Sequence, residues 1–298
     1  MSTTARPIIT LTTDFGTHDS YVSIMKGVIL GMCPEARLVD VTHAIAPQNL
    51  QEAVFVLQTF TAYFPPRTVH LVVVDPGVGS KRLPLALQTP AASYVGPDNG
   101  VFTSVWHEAL QRWSPDEVRA VVLDKPLFWR PGLSQCGIVS ATFHGCDIFA
   151  PVAAHLAAGT TLDEVGSPLD TPVLLPIEQP AWEENGGIIG EIIYIDHFGN
   201  CVTNITTDHL RQMVGLPLNI ELPGSFDHLV LSLVEPDYAV TTRSPFSLLL
   251  GYTYADVAPG QIVALVGSTQ RLEIAQRNGS ASDSLAIEVG MRVRVACN

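Results

Sequence analysis

Positive charge is scarce in this chain. Only 16 Lys and Arg stand against 29 Asp and Glu over 298 residues, a formal net charge of −13. Binders of a phosphate backbone carry a basic footprint, so no nucleic-acid partner is expected. A cationic or zwitterionic ligand suits the balance better, although bulk charge bears first on solubility. Cysteine is sparse as well. Cys33, Cys136, Cys146, Cys201 and Cys297 make an odd number with no C-x-x-C, which predicts reduced thiols in a cytoplasmic protein. No uncharged apolar run approaches 20 residues, and no basic segment with an apolar core opens the chain. Neither a membrane span nor a signal peptide is expected. H-E-x-x-H, G-x-x-x-x-G-K-[ST] and G-x-S-x-G are all missing, and no spacing suits zinc. Gly77-Val78-Gly79 lacks the third glycine of a dinucleotide fingerprint, which argues against a Rossmann dehydrogenase. No metal is expected.

What the chain has is apolar content and turns. It is 47% hydrophobic and 15% charged, with 23 Gly and 22 Pro. That composition buries a sizeable core and divides it into short elements. The strongest local signal is Leu71–Arg82, L-V-V-V-D-P-G-V-G-S-K-R. Four apolar residues read as a strand buried on both faces. Asp75 falls where that strand ends, and Pro76, Gly77 and Gly79 force a turn before Arg82. Ligands of open α/β sheets bind at such carboxyl ends.

Around that strand the pattern is β-α-β-α-β. Pro7–Thr13 reads as a strand and Tyr21–Met32 as a helix with Val22, Met25, Ile29 and Met32 on one side, capped by Asp19 or Ser20. Ala36–Val41 is a strand, Pro47–Tyr63 a helix and Val69–Val74 the third strand, an order that argues for a parallel sheet. Strands at Leu85–Leu87, Ser93–Val95 and Arg119–Leu123 and helices near Val101–Ala109 and within Phe143–Ala158 follow. Ser167–Pro180 holds four prolines and reads as linker. Beyond Gly187 the pattern is short strands: Ile188–Ile195, Cys201–Ile205, Leu218–Leu222, Leu229–Leu233, Phe246–Leu250, Gln261–Val266, Leu272–Ala275 and Arg292–Val295. Their spacing suits a sandwich or barrel. The expected organisation is an N-terminal α/β domain over 1–166, a linker over 167–186 and a C-terminal β domain over 187–298.

Five clusters could carry chemistry, and each also has an ordinary structural use. Asp14 and Asp19 flank a polar turn, where carboxylates grip hydroxyls, an ammonium group or a metal, or merely cap a helix. Asp75 and Arg82 suit a charge-supported pair or a capped turn with a surface arginine. His144, beside Gly145 and just before a helix, suits close approach to a ligand or a satisfied structural role. Asp196, Phe198 and Asn200 surround Gly199, as a ligand clamp or a hairpin turn. Gly267-Ser268, Leu272–Ala275 and Asn278-Gly279-Ser280 expose backbone that could read a purine edge, or form plain β-turns.

Taken in order, these blocks give the chain a family likeness. T-T-D-F-G (Thr12–Gly16), V-D-P-G-V-G (Val74–Gly79), G-P-D-N-G (Gly96–Gly100), T-F-H-G-x-D-x-F-A-P (Thr142–Pro151), D-H-F-G-N-x-x-T-N (Asp196–Asn204) and G-S…L-E-I-A…N-G (Gly267–Gly279) run from Ile8 to Val295. The chain resembles the S-adenosylmethionine hydroxide adenosyltransferases, hydrolytic relatives of the bacterial fluorinase and chlorinase. The resemblance implies a Rossmann-like N-terminal α/β domain with a parallel-rich sheet and a C-terminal all-β, barrel-like domain, assembled as a homotrimer with sites between subunits. It implies that water or hydroxide attacks C5′ of S-adenosyl-L-methionine to give adenosine and L-methionine, with no cofactor. The catalytic set falls on Asp75, Arg82 and His144. Asp14 would hold the ribose, Asp19, Asp196 and Ser268 the amino-acid end, and Phe198 the adenine. Asn200 would lie near the ligand, and backbone near Arg277 and Gly279 would read the adenine edge. The halogenating relatives carry tyrosines at the positions of Asp75 and His144 and a serine at that of Gly145. The rival readings are a halide adenosyltransferase and a non-catalytic adenosine or S-adenosylmethionine sensor. One departure stands out: the usual block reads T-F-H-G-R-D, and here Cys146 replaces the arginine.

Overall fold

A computed structural model describes residues 6–131, 139–215, 226–234 and 248–297. The chain divides into two compact units, Met1–Pro176 and Ile177–Asn298. Among the described residues no helix is long and apolar enough to cross a membrane.

The first unit is built on a seven-stranded sheet. Its strands are β1 (Ile8–Thr13), β2 (Arg37–Thr42), β3 (Thr68–Val73), β4 (Pro84–Gln88), β5 (Ala92–Pro97), β6 (Arg119–Val122) and β7 (Ser167–Leu169), in the order β2-β1-β3-β5-β4-β6-β7. β2, β1, β3 and β5 run parallel. The sequence also suggested strands at 85–87 and 93–95, and these form an antiparallel pair that places β4 between β5 and β6. A connection of three residues is too short for a parallel crossover, so the chain turns back on itself. The stretch expected as linker contributes β7, which pairs antiparallel with β6 through Ser167, Pro168 and Leu169. Proline is tolerated there because β7 is an edge strand.

β3 is buried along its whole length, the consequence of its unbroken apolar run at the sheet centre. Ile9, Leu11, Leu71 and Val73 pack with Met25 and Ile29 of α1 (Tyr21–Met32) and with Phe149 and Val152. Truncating one such side chain to alanine costs about 2–5 kcal/mol. Ser20 holds the N-cap position of α1 but makes no side-chain cap bond, contrary to expectation. α2 (Leu50–Phe60) is capped by Asn49, whose side chain accepts from Glu52 N, and a 3₁₀ turn over Thr61–Tyr63 completes the expected span. α3 covers Thr103–Arg112. The helix expected near residue 145 opens as a π-helical turn, Gly145–Phe149, before α4 (Ala150–Ala157).

The second unit is a curled sheet: β8 (Ala181–Trp182), β9 (Ile188–Ile195), β10 (Cys201–Thr206), β11 (Phe226–Val234), β12 (Leu248–Leu250), β13 (Ile262–Val266), β14 (Arg271–Gln276) and β15 (Arg292–Cys297). β9 pairs with both β15 and β10, so the sheet returns on itself in barrel fashion. Ile188, Ile192, Ile205, Ile274 and Val293 fill its interior. Two short helices interrupt the all-β expectation, Thr207–Met213 and Ala281–Leu285. Thr206 and Ser280 start them by accepting from His209 N and Asp283 N. The expected strand Leu218–Leu222 lies outside the described residues.

Candidate active site

Asp75 emerges two residues beyond the end of β3, and its loop folds back at once. Val78 N donates to Asp75 O at 3.2 Å and Ser80 N to Gly77 O at 3.0 Å. Gly79 has φ +76°, and a Cβ there would lie 2.5 Å from Ala141 O, so only glycine lets this loop touch the one carrying His144. Behind it the G-P-D-N-G turn acts as a brace: Asn99 Nδ2 donates to Val74 O at 3.0 Å and Asp98 N to Leu83 O at 2.9 Å.

The turn returns Arg82 onto Asp75. Nε donates to Asp75 Oδ1 at 2.8 Å, and Nη2 makes a short contact with Oδ2. The same Nη2 lies 2.8 Å from His144 Nδ1. The Asp75 and Arg82 side chains are 6% and 8% exposed, so this fork is desolvated, where a partnerless charge would be costly. The guanidinium lies over the Phe149 ring, 5.1 Å from its centroid. Its remaining nitrogen, Nη1, is buried without a partner.

A guanidinium has no acceptor, so Nδ1 of His144 must accept and the neutral ring carries its proton on Nε2. Burial and then the Arg82 charge pull the imidazole below its usual range, against the opposing pull of Asp75 and Asp147. The ring is neutral at physiological pH.

Asp147 supports this loop from below. It is buried, and its Oδ2 accepts from Ser140 N at 2.9 Å while Oδ1 accepts from Arg130 Nε at 2.8 Å. Arg130 N also donates to Asp147 O at 2.9 Å. The arginine paired with this carboxylate therefore comes from position 130, while Cys146 is a buried thiol pushed up to about 11, first by burial and then by Asp147. Arg130 carries no motif-level signal of this role.

Asp14 follows β1 and spends Oδ2 on Gln48 N, 2.8 Å away, holding Gln48 at φ 67°. Its Oδ1 has no hydrogen-bond partner among the described residues. Asp19 is exposed, with His18 Nδ1 3.4 Å away. Phe15, Tyr21 and Phe143 form an aromatic cluster beside these turns, with centroids 5.3–6.1 Å apart.

In the second unit Asp196 organises its own turn. Oδ1 accepts from Phe198 N at 2.8 Å and Asn200 N at 2.9 Å, and Oδ2 accepts from Asn200 Nδ2 at 2.9 Å. Gly199, at φ +81°, packs so closely on Ser280 that a Cβ would lie 2.1 Å from its Oγ. Phe198 at the tip is 71% exposed. Ser268 is exposed on the turn between β13 and β14. The carboxyl of buried Glu273 is pushed up by burial, and its Oε1 accepts from Tyr254 OH at 2.8 Å. Glu273 lies in the L-E-I-A block but had no assigned role. Arg277 donates its N–H to Gln261 O at 3.0 Å and accepts from Gly260 N at 2.7 Å. Its own amide is thus occupied, whereas Gly279 N makes only a 3.3 Å bond to Gln276 O.

The SAM hydroxide adenosyltransferase N-terminal domain matches residues 9–166, and the C-terminal domain of the same name matches residues 190–294. The (R)-S-adenosyl-L-methionine hydrolase of Salinispora tropica is 36% identical over 97% of this chain and 97% of its own length. That of Thermus thermophilus is 35% identical, covering 97% and 99%. The fluorinase of Actinopolyspora mzabensis is more distant, at 28% identity over 98% and 97%. Among solved structures, an uncharacterized conserved protein from Thermotoga maritima superposes with a TM-score of 0.82 at 33% identity, covering 97% of this chain and 99% of that one. With both domains matched in order around the Asp75–Arg82–His144 arrangement, the chain belongs to the SAM hydroxide adenosyltransferase family.

Proposed function

We propose that this chain hydrolyses S-adenosyl-L-methionine to adenosine and L-methionine. The observation that carries the reading is the buried chain of contacts Asp75–Arg82–His144 at the carboxyl end of β3. The sulfonium is already a good leaving group, so the protein's task is to hold a water in line with the C5′–S bond and take its proton. Water oxygen gives its pair to C5′, and the C5′–S pair stays on sulfur and neutralises it. With Nδ1 committed to Arg82, His144 offers Nε2–H as a donor that orients the attacking oxygen. Asp75 then accepts the proton on a lone pair that Arg82 leaves open. A carboxylate at this position repels halide, which favours water over chloride or fluoride.

The binding roles rest on family likeness and on what each group has left to offer. Asp14 holds the ribose through its open Oδ1, and Phe198 gives the adenine an exposed face. Asp19, Asp196 and Ser268 hold the amino-acid end, with Asn200 beside them. The occupied amide of Arg277 shifts edge reading toward Gly279. The assembly is a homotrimer in which one copy's second unit completes another's site. The free, buried thiols of Cys33, Cys146 and Cys201 support a cytoplasmic location.

The test is incubation with S-adenosyl-L-methionine and chromatography of adenosine and methionine. Equimolar release supports the reading, and folded protein that releases neither refutes it. Retention of intact ligand would point to a sensor. If sites are shared between copies, the slow Asp75→Asn and weakly binding Asp196→Ala proteins should recover sites of parental kcat and KM when unfolded together and refolded. No recovery would argue for sites built within one chain.

A further inference from the structure

The first unit has a cleft at the amino edge of its sheet, away from the Asp75 turn. It is a cleft of about 850 Å³ whose walls are the starts of β1, β2, β3, β5 and β6 and the end of β4. Arg6, Arg37, Arg67 and Arg119 all line it, four of the 16 Lys and Arg in a chain of net charge −13. Arg6 pairs with Glu35 at 3.3 Å and Arg119 with Asp163. Arg37 and Arg67 are exposed and have no carboxylate partner among the described residues. Two free guanidinium groups in so acidic a protein leave this edge locally positive, the wrong sign for a sulfonium substrate.

Strand register fixes how far apart the two free arginines start. Ile8 of β1 stands opposite Arg37 of β2, and Ile9 stands opposite Val69 of β3, which brings Arg67 to nearly the same level. Two strand spacings separate their backbones, about 10 Å. Guanidinium arms from both sides can close on one ligand carrying two adjacent anionic groups, the planar forks matching phosphate oxygens bidentately. Arg67 also sits at φ 70°, a conformation that favours glycine, with its N–H donated to Ala91 O at 2.9 Å. Backbone convenience does not explain an arginine there. Pro65, Pro66 and Leu156 supply an apolar wall, and the volume is that of a nucleotide-sized ligand site.

We propose that this cleft binds a small metabolite bearing two or more phosphates, held chiefly by Arg37 and Arg67, at a site separate from the Asp75 centre. Arg67 precedes β3 and Asp75 follows it, so the two sites lie about 25 Å apart at opposite ends of one buried strand.

Inorganic pyrophosphate is the probe, titrated into the full chain by calorimetry at low salt. Saturable binding is expected, weakening as salt is raised. The double variant Arg37→Gln/Arg67→Gly should weaken it at least tenfold with an unchanged melting temperature, since both side chains are exposed and glycine suits the Arg67 backbone. Lys125→Gln and Asp75→Asn should bind as the parent does. Lack of saturable heat with pyrophosphate at low salt would overturn the proposal. So would a double variant that binds as tightly as the parent, or equal weakening by Lys125→Gln, which would reveal only diffuse attraction.

Discussion

Asp75 and Asp196 each open a glycine-containing turn, one in each unit, and they spend their carboxylates differently. Asp196 gives both oxygens to its own turn, to the amides of Phe198 and Asn200 and the side chain of Asn200. Asp75 gives both to one arginine seven residues on, and through it reaches a histidine on another loop. The first arrangement shapes a surface and leaves Phe198 standing out at its tip. The second buries a charge pair and leaves a donor nitrogen unused beside it. Similar turn signatures in sequence therefore shape a surface turn in one place and a buried charge pair in the other.

Substitution should separate the two most sharply. Asp75→Asn keeps the shape but removes the proposed proton acceptor, and kcat should fall by about 10³-fold with KM little changed. Asp196→Ala should do the reverse: KM rises by roughly tenfold and kcat stays within a few-fold, with stability down by about 1–3 kcal/mol from lost turn bonds. Steady-state kinetics with thermal melting checks both. Equal losses in kcat would mean that both aspartates touch the reaction.

Acid should separate the units next. His70 in β3 is fully buried, and burial pulls its pKa from 6.5 to about 4. The unfolded chain binds that proton first. The stability His70 contributes is complete above pH 6.5 and is lost as pH falls toward 4, on the order of 3 kcal/mol. Glu273 in the second unit is pushed the other way, so its contribution is greatest in acid and is lost as pH rises through its raised pKa. Urea unfolding at pH 7 and pH 5 should show the first unit weakening and a His70→Gln variant losing less. An unchanged midpoint in the parent protein would refute this.

The smallest effect tests the two glycines. Gly79→Ala meets Ala141 O and Gly199→Ala meets Ser280, both at positive φ, and each should cost about 2 kcal/mol. Only Gly79→Ala should also lower kcat, because it parts the loops that join Arg82 to His144. A Gly79→Ala enzyme with full kcat would show that this contact does not set the geometry.

Much of this was readable in the sequence because it rests on local pattern. The apolar run of β3 and the D-P-G-V-G turn after it mark a strand end, and the six motifs fix the family. What could not be read depends on long-range pairing. Nothing local says that β4 inserts antiparallel between β5 and β6, or that a proline-rich stretch supplies β7. Asp147 was visible within its motif, but its pairing with Arg130 spans 17 positions and a turn. The helix at Thr207–Met213 is too short for a periodic signal. The π-helical turn at Gly145–Phe149 shifts residues by one hydrogen-bond step, which side-chain spacing in a short segment does not reveal.

The contact between Arg82 and His144 Nδ1 has a consequence for reactivity toward reagents rather than substrate. An imidazole reacts with acylating agents through its free lone pair, and in the folded enzyme that pair is covered by a guanidinium while the other nitrogen holds a proton. His144 is half-buried and reachable, yet it is a poor nucleophile. Histidine-directed modification should therefore leave it among the slowest of the accessible rings, and freeing it should require loosening Arg82 first.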